Sequence, residues 1–178
     1  MQKTLLTMTA IALVSLSSAV YAQQNTTVGG NALNVGVVGG NNINAAIGKD
    51  SEAKTRIGAV KDSEIDGNLL NVGVVGGNNI NAAIGDEATA KTDIGVVEGS
   101  TVGGNALNVG VVGGNNINAA IGKDTTAVTA IGTIKDADIQ GNALNVGVVG
   151  GNNINAAIGQ GTTACTEIGV IGENEECD

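Results

Sequence analysis

The chain has 178 residues, with 17 acidic against 8 basic side chains and a net charge of −9, and it contains no histidine, proline, tryptophan or phenylalanine. The acidic excess argues against nucleic acid or an anionic membrane as a partner, and without histidine the commonest metal ligand and general base is missing. Tyr21 is the only aromatic residue, so burial has to come from Leu, Ile, Val and Ala in a regular lattice.

The chain opens with Lys3, a largely apolar run from Leu5 to Val20, and Val20-Tyr21-Ala22, which fits a small-residue cleavage site. The run is short for a membrane span and contains Thr7, Thr9, Ser15, Ser17 and Ser18. Residues 1–22 therefore read as a secretory signal peptide. The mature chain would start at Gln23, with 23–25 as a short lead, no membrane anchor and an extracellular or cell-surface destination.

From Gly30 to Gly48 runs GNALNVGVVGGNNINAAIG, and it returns at Gly67–Gly85, Gly104–Gly122 and Gly141–Gly159, each time 37 residues on. Only the third position varies: Ala32, Leu69, Ala106 and Ala143. Self-similarity at a fixed period marks a stacked array. The repeats lie at 26–62, 63–99, 100–136 and 137–173, followed by an acidic, Cys-containing tail at 174–178. The frequent Gly, Val and Ile disfavour helix. The fold class expected is all-β: a repetitive β-solenoid or cross-β stack, one 37-residue repeat per rung, four rungs.

Alternation places the strands within a repeat. Leu33, Val35 and Val37 share one face, and Asn34, Gly36 and Val38 the other. Beyond Gly39-Gly40, Ile43, Ala45 and Ile47 point one way, with Asn44 and Ala46 opposite. After the polar corner Lys49-Asp50-Ser51, a third strand groups Thr55, Ile57 and Ala59. Val28, Ile65, Val102 and Ile139 mark a fourth, very short strand. The small residues on the second face let another segment pack closely against it, so each repeat is expected to fold over on itself.

With one repeat per rung, every position sits about 4.8 Å above its own copy, and stacked Asn amides can bond up the column. Five Asn columns recur, at Asn31, Asn34, Asn41, Asn42 and Asn44. Asn34, Asn71, Asn108 and Asn145, and Asn44, Asn81, Asn118 and Asn155, lie inside strand patterns and are the expected spine ladders. Asn41-Asn42 reads instead as turn chemistry. Charge signs also alternate at this spacing, as Lys49, Asp86, Lys123; as Arg56, Asp93; and as Lys61, Glu98, Lys135. Stacking favours such alternation. Asp50, Glu87 and Asp124 break it.

The unit G-N-x-x-N-V-x-x-x-G-x-N-N-x-N, repeated through variable linkers behind a secretory leader, resembles the repeats of Fap-type bacterial functional amyloid subunits. More loosely, it is similar to curlin repeats. The resemblance covers the four repeats. It implies export across a Gram-negative-type outer membrane by a dedicated apparatus, assistance from a nucleator, stacking into β-solenoid fibres, and a place in the biofilm matrix.

Cys165 stands where earlier repeats have Lys54, Lys91 and Val128, and Cys177 lies in the tail. Two cysteines in a secreted chain suggest a disulfide. An intrachain bond would fasten the tail to the last rung and contribute up to about 3 kcal/mol, whereas an interchain bond would lock subunits together. The Gly-Asn run lacks the Asp ligands of calcium-binding nonapeptides, and no helix follows to make a phosphate cradle. No cofactor or metal site is expected. Acidic residues sit at variable corners, and Ser63 and Ser100 have no base nearby in sequence, so an enzyme is not expected either.

Two functions remain. One is a homopolymer that grows head to tail through exposed strand edges, since no proline or helix blunts them. The other is a capped monomer binding a repetitive surface such as ice or polysaccharide; the Thr55, Thr92, Thr129 and Thr166 column is thin for such a face and, pointing inward beside Ile57, reads as core-edge residues. The acidic tail also fits a minor nucleating subunit.

Overall fold

A computed structural model describes the backbone of residues 22–24 and the residues 26–172. Residues 1–21, Asn25 and 173–178 lie outside it, and with them the leader and tail readings. Every element is a strand, with no helix among the described residues. A short β1 (Ala22–Gln24) precedes the first rung, β2 (Thr27–Val28), β3 (Ala32–Val38), β4 (Asn42–Ile47) and β5 (Glu52–Lys61). The second rung is β6 (Glu64–Ile65), β7 (Leu69–Val75), β8 (Asn79–Ile84) and β9 (Thr89–Glu98). The third is β10 (Thr101–Val102), β11 (Ala106–Val112), β12 (Asn116–Lys123) and β13 (Thr126–Lys135). The fourth is β14 (Asp138–Ile139), β15 (Ala143–Val149), β16 (Asn153–Gln160) and β17 (Thr163–Ile168).

Equivalent strands stack in parallel into four sheets, ordered β1-β5-β9-β13-β17, β14-β10-β6-β2, β15-β11-β7-β3 and β16-β12-β8-β4. The register is the repeat itself: Leu33 pairs with Leu70, Leu70 with Leu107 and Leu107 with Leu144. The chain is a β-solenoid of four 37-residue turns, as the periodicity predicts.

Within a rung, β3 and β4 form one side, joined at Gly39-Gly40, and the long β5 closes the other. Asn34 Nδ2 donates to the Ala59 carbonyl at 3.1 Å, and Asn44 Nδ2 to the Lys54 carbonyl at 3.0 Å. The two sides meet most closely at glycines. A Cβ built on Gly73 would lie 2.3 Å from the Gly95 nitrogen, and Gly95 itself has φ +60. That left-handed kink, natural only to a residue without a Cβ, shifts the phase of the long strand. Val60, Val97 and Ile134 thereby turn inward beside Ile65 and Leu69, although simple alternation would put them outside.

The interior is correspondingly narrow. Val38, Val75 and Val112 meet Ile57, Ile94 and Ile131 at its centre, and alanines such as Ala53, Ala83 and Ala90 fill one end. The faces grouped by alternation are real, and the small-residue face is the one against which the facing strand packs. The larger aliphatic residues Leu33, Val35 and Val37 point outward, while the variable Ala32 position points in, with Leu69 2 % exposed.

Candidate assembly surface

Three Asn columns run through the interior. Asn34 Nδ2 donates to Asn71 Oδ1 at 2.7 Å, Asn71 to Asn108 at 2.7 Å and Asn108 to Asn145 at 2.8 Å. Asn81 donates to Asn118, and Asn118 to Asn155, each at 3.1 Å. The first step of that column is not made: Asn44 donates only to Lys54, and Asn81 Oδ1 is buried without a hydrogen bond. The third column corrects the turn reading of Asn42, which opens β4 and points inward. Asn42, Asn79, Asn116 and Asn153 are joined by three bonds of 2.7 Å. Only Asn41 keeps the turn position.

These ladders have a direction. The Nδ2 atoms of Asn71, Asn81 and Asn118 also donate to carbonyls of the facing strand, at Val96, Lys91 and Val128. Those carbonyls fix which amide atom is nitrogen. The Asn34 and Asn44 columns therefore donate from the first rung towards the fourth, and the Asn42 column is set the same way. The corner ladders run the other way: Asn68 N and Nδ2 donate to Asn31 Oδ1 at 2.9 and 3.2 Å, and Asn115 likewise to Asn78 at 3.0 and 3.2 Å. The two ends of the stack are chemically unlike. What continues an interior ladder is a donor at rung four and an acceptor at rung one, and at the corners the reverse.

Among the described residues the fourth rung also lacks cover. Ile131 is fully buried, whereas Ile168 in the same column is 39 % exposed. Ala143 and Thr166 are exposed where Ala106 and Thr129 are buried. The first rung carries β1 instead, with Ala22 opposite Ala59 and Gln24 opposite Lys61.

Charge alternation becomes a partly buried cluster. Lys61 Nζ lies 2.9 Å from Asp93 Oδ2 and also bonds Glu98, Arg56 Nε stands 3.7 Å from Asp93, and Lys91 reaches 4.0 Å from Glu98. Burial works against the Lys61 charge, but Asp93 and Glu98 outweigh it and raise its pKa. Burial likewise opposes the Glu98 charge, yet the Lys61 hydrogen bond and nearby lysines hold it below the usual carboxylate range. For Lys91 burial prevails, and its pKa is lowered. The Lys49–Asp86 step closes no such pair among the described residues.

The threonine column faces inward, as the core-edge reading expects. Thr55, Thr92 and Thr129 are buried at 5 %, 0 % and 0 % exposure because they point at the facing strand, and only Thr166 at the open end is exposed. Cys165 is buried and disulfide-bonded, while Cys177 lies outside the described residues. Sequence reading did not assign an exterior to Leu33, Val37, Ile43 and Ile47, which are 39–79 % exposed. The signal available was the Ala–Asn–Gly–Val face opposite them, too small to be anything but a close-packed interior.

No family model, no curated protein and no solved structure matches this chain.

Proposed function

We propose that the chain is a secreted structural subunit that stacks head to tail into extracellular amyloid-like fibres serving as matrix or adhesion scaffold. The observation that carries the reading is the mismatch between the two ends. Rung four leaves its inward residues uncovered and continues its interior ladders as donors, whereas rung one continues them as acceptors. Head to tail, donor meets acceptor in every ladder; head to head, like groups oppose. The contact is heterologous and does not close, so it propagates.

Register supports the same joint. In a continued stack Glu167 would come beside Arg56 of the next copy, Gln160 beside Lys49, Thr163 beside Glu52 and Gly161 beside Asp50. At that joint no described residue of rung four meets a like charge in rung one, although within the chain Lys54 stacks on Lys91 and Asp50 on Glu87. The leader reading and the Gly-Asn repeat unit support export of the Gram-negative type, with an export apparatus and a nucleator as partners.

The test is to desalt the chain from Gln23 to Asp178 out of denaturant and follow it by negative-stain electron microscopy and fibre diffraction. Unbranched filaments with a reflection near 4.8 Å, speeded by seeds, are expected. A β-rich species that stays monomeric would sink the reading.

A further inference from the structure

We infer that the stacks pair laterally, with the Leu–Val–Val face of one stack seated on the same face of a second. This rests on the stacking proposed above and adds a second interface to it. The outward side of β3, β7, β11 and β15 carries Leu33, Val35, Val37 and their copies, and no charged residue at all. A chain of net charge −9 repels its copies through its other surfaces, and this face bears none of that charge. The exposure is continuous: Leu33, Leu70, Leu107 and Leu144 are 45 %, 37 %, 36 % and 59 % exposed.

The relief suits a second copy. Beside the leucine ridge runs an apolar groove of about 530 Å³, lined by the Asn31, Ala32 and Leu33 columns and passing all four rungs. A ridge next to a groove on one face is self-complementary under a two-fold axis, since each ridge can enter the other's groove. Side chains repeat at the same spacing on both partners, so one seated leucine sets the register of the rest.

Area decides when this happens. A seven-residue strand is about 23 Å long and four strands stand about 19 Å tall, so the face covers roughly 440 Å² per chain. Stable pairs bury about 800 Å² on each partner. One chain falls short, and two stacked chains suffice. Lateral pairing thus belongs to filaments and not to isolated chains, because each added subunit extends an interface already formed.

The experiment measures mass per length of filaments of the full chain by scanning transmission electron microscopy. The comparison is with a variant carrying Leu33→Thr, Leu70→Thr, Leu107→Thr and Leu144→Thr. The expected result is two chains per rise of about 19 Å in the wild type and one in the variant, with the strand-spacing reflection unchanged. Single-width wild-type filaments, or a variant that stays double, would overturn the pairing and leave the stacking intact. Should the variant fail to fold, the wild-type value decides alone. Absence of any filament would instead remove the stacking itself, and the pairing with it.

Discussion

Asn71 Nδ2 donates to Asn108 Oδ1 at 2.7 Å and to the Val96 carbonyl at 3.2 Å, so a single side chain joins two rungs and ties the two sides of its own. Asn108 does more, reaching the Gly95 carbonyl at 2.7 Å, the Thr133 carbonyl at 3.1 Å and Asn145 at 2.8 Å, while fully buried. Replacing it with alanine strands the Asn71 amide and leaves a void. A loss of roughly 2–4 kcal/mol is expected, since each buried polar group left unsatisfied costs about 1–3 kcal/mol. Urea unfolding of Asn108→Ala checks it; a change below about 1 kcal/mol would show that the ladder is not a stability element.

Glycine positions separate into two kinds. A Cβ at Gly95 would meet the Val109 carbonyl oxygen at 2.2 Å, on a backbone already at φ +60. At Gly76 the nearest atom is the Gly39 oxygen at 3.4 Å, in ordinary contact. Gly95→Ala is expected to cost more than about 4 kcal/mol and abolish the cooperative transition, and Gly76→Ala to stay within about 1 kcal/mol of wild type. Circular dichroism melts of the pair distinguish them. Equal effects would mean that the two sides of a rung are not held as close as described.

The ion cluster sets a pH window. Glu98 has a folded pKa below its unfolded value, so its contribution is present above about pH 4.5 and lost as pH falls through the folded pKa. Lys61 has a folded pKa above its unfolded value, so its contribution is complete below about pH 10 and lost only as pH rises through the folded pKa. Lys91 opposes it, because its lowered pKa means that raising the pH relieves a penalty. Stability should be flat from roughly pH 5 to 9 and fall on the acid side. Glu98→Gln should shrink the acid-side fall in melting temperature; an unaltered acid limb would remove Glu98 from the account.

How much of this was readable beforehand depended on the kind of constraint. The period of 37, the parallel register and the Asn ladders follow from repetition, which carries every position onto its own copy. The inward role of Asn42 did not, because Asn beside Gly-Gly equally well makes a turn, and only the facing Thr55, 3.3 Å from Asn42 Nδ2, shows that it enters the core. The inward turn of Val60 also escaped alternation, since one left-handed glycine at Gly58 changes the strand's phase. The outward placement of Leu33 was hidden because both faces of β3 are free of charge. What settles it is the Gly36–Gly58 approach, which leaves no room inside for a leucine row.

The strand β1 offers a test at the growing end. It lies against Ala59–Lys61 of rung one, in the columns that residues 170–172 of the preceding copy would fill, as the Ile134–Ile171 bridge places them within one chain. Joining two subunits therefore displaces β1 or those residues. A chain starting at Asn25 should elongate from seeds faster than one starting at Ala22, in a thioflavin assay at equal concentration. Equal rates would mean that the joint does not use that edge.

Gln160 gives the joint a charge handle. It is exposed and pairs with Lys123 in register. In a head-to-tail stack its other neighbour in the column is Lys49 of the next copy. Gln160→Glu places a carboxylate between two lysines, and Gln160→Lys makes three cations in a row. Exposed pairs at this spacing contribute about 0.2–1 kcal/mol, so the critical concentration for assembly should fall up to about fivefold in the first variant and rise comparably in the second. In about 1 M salt, where the screening length is about 3 Å, the two should converge, because the effect is Coulombic. Melting temperatures of the soluble subunits report the Lys123 contact by itself, and the critical concentration reports the added Lys49 contact at the joint. If both variants assemble like wild type at low salt, rung four does not meet rung one in this register.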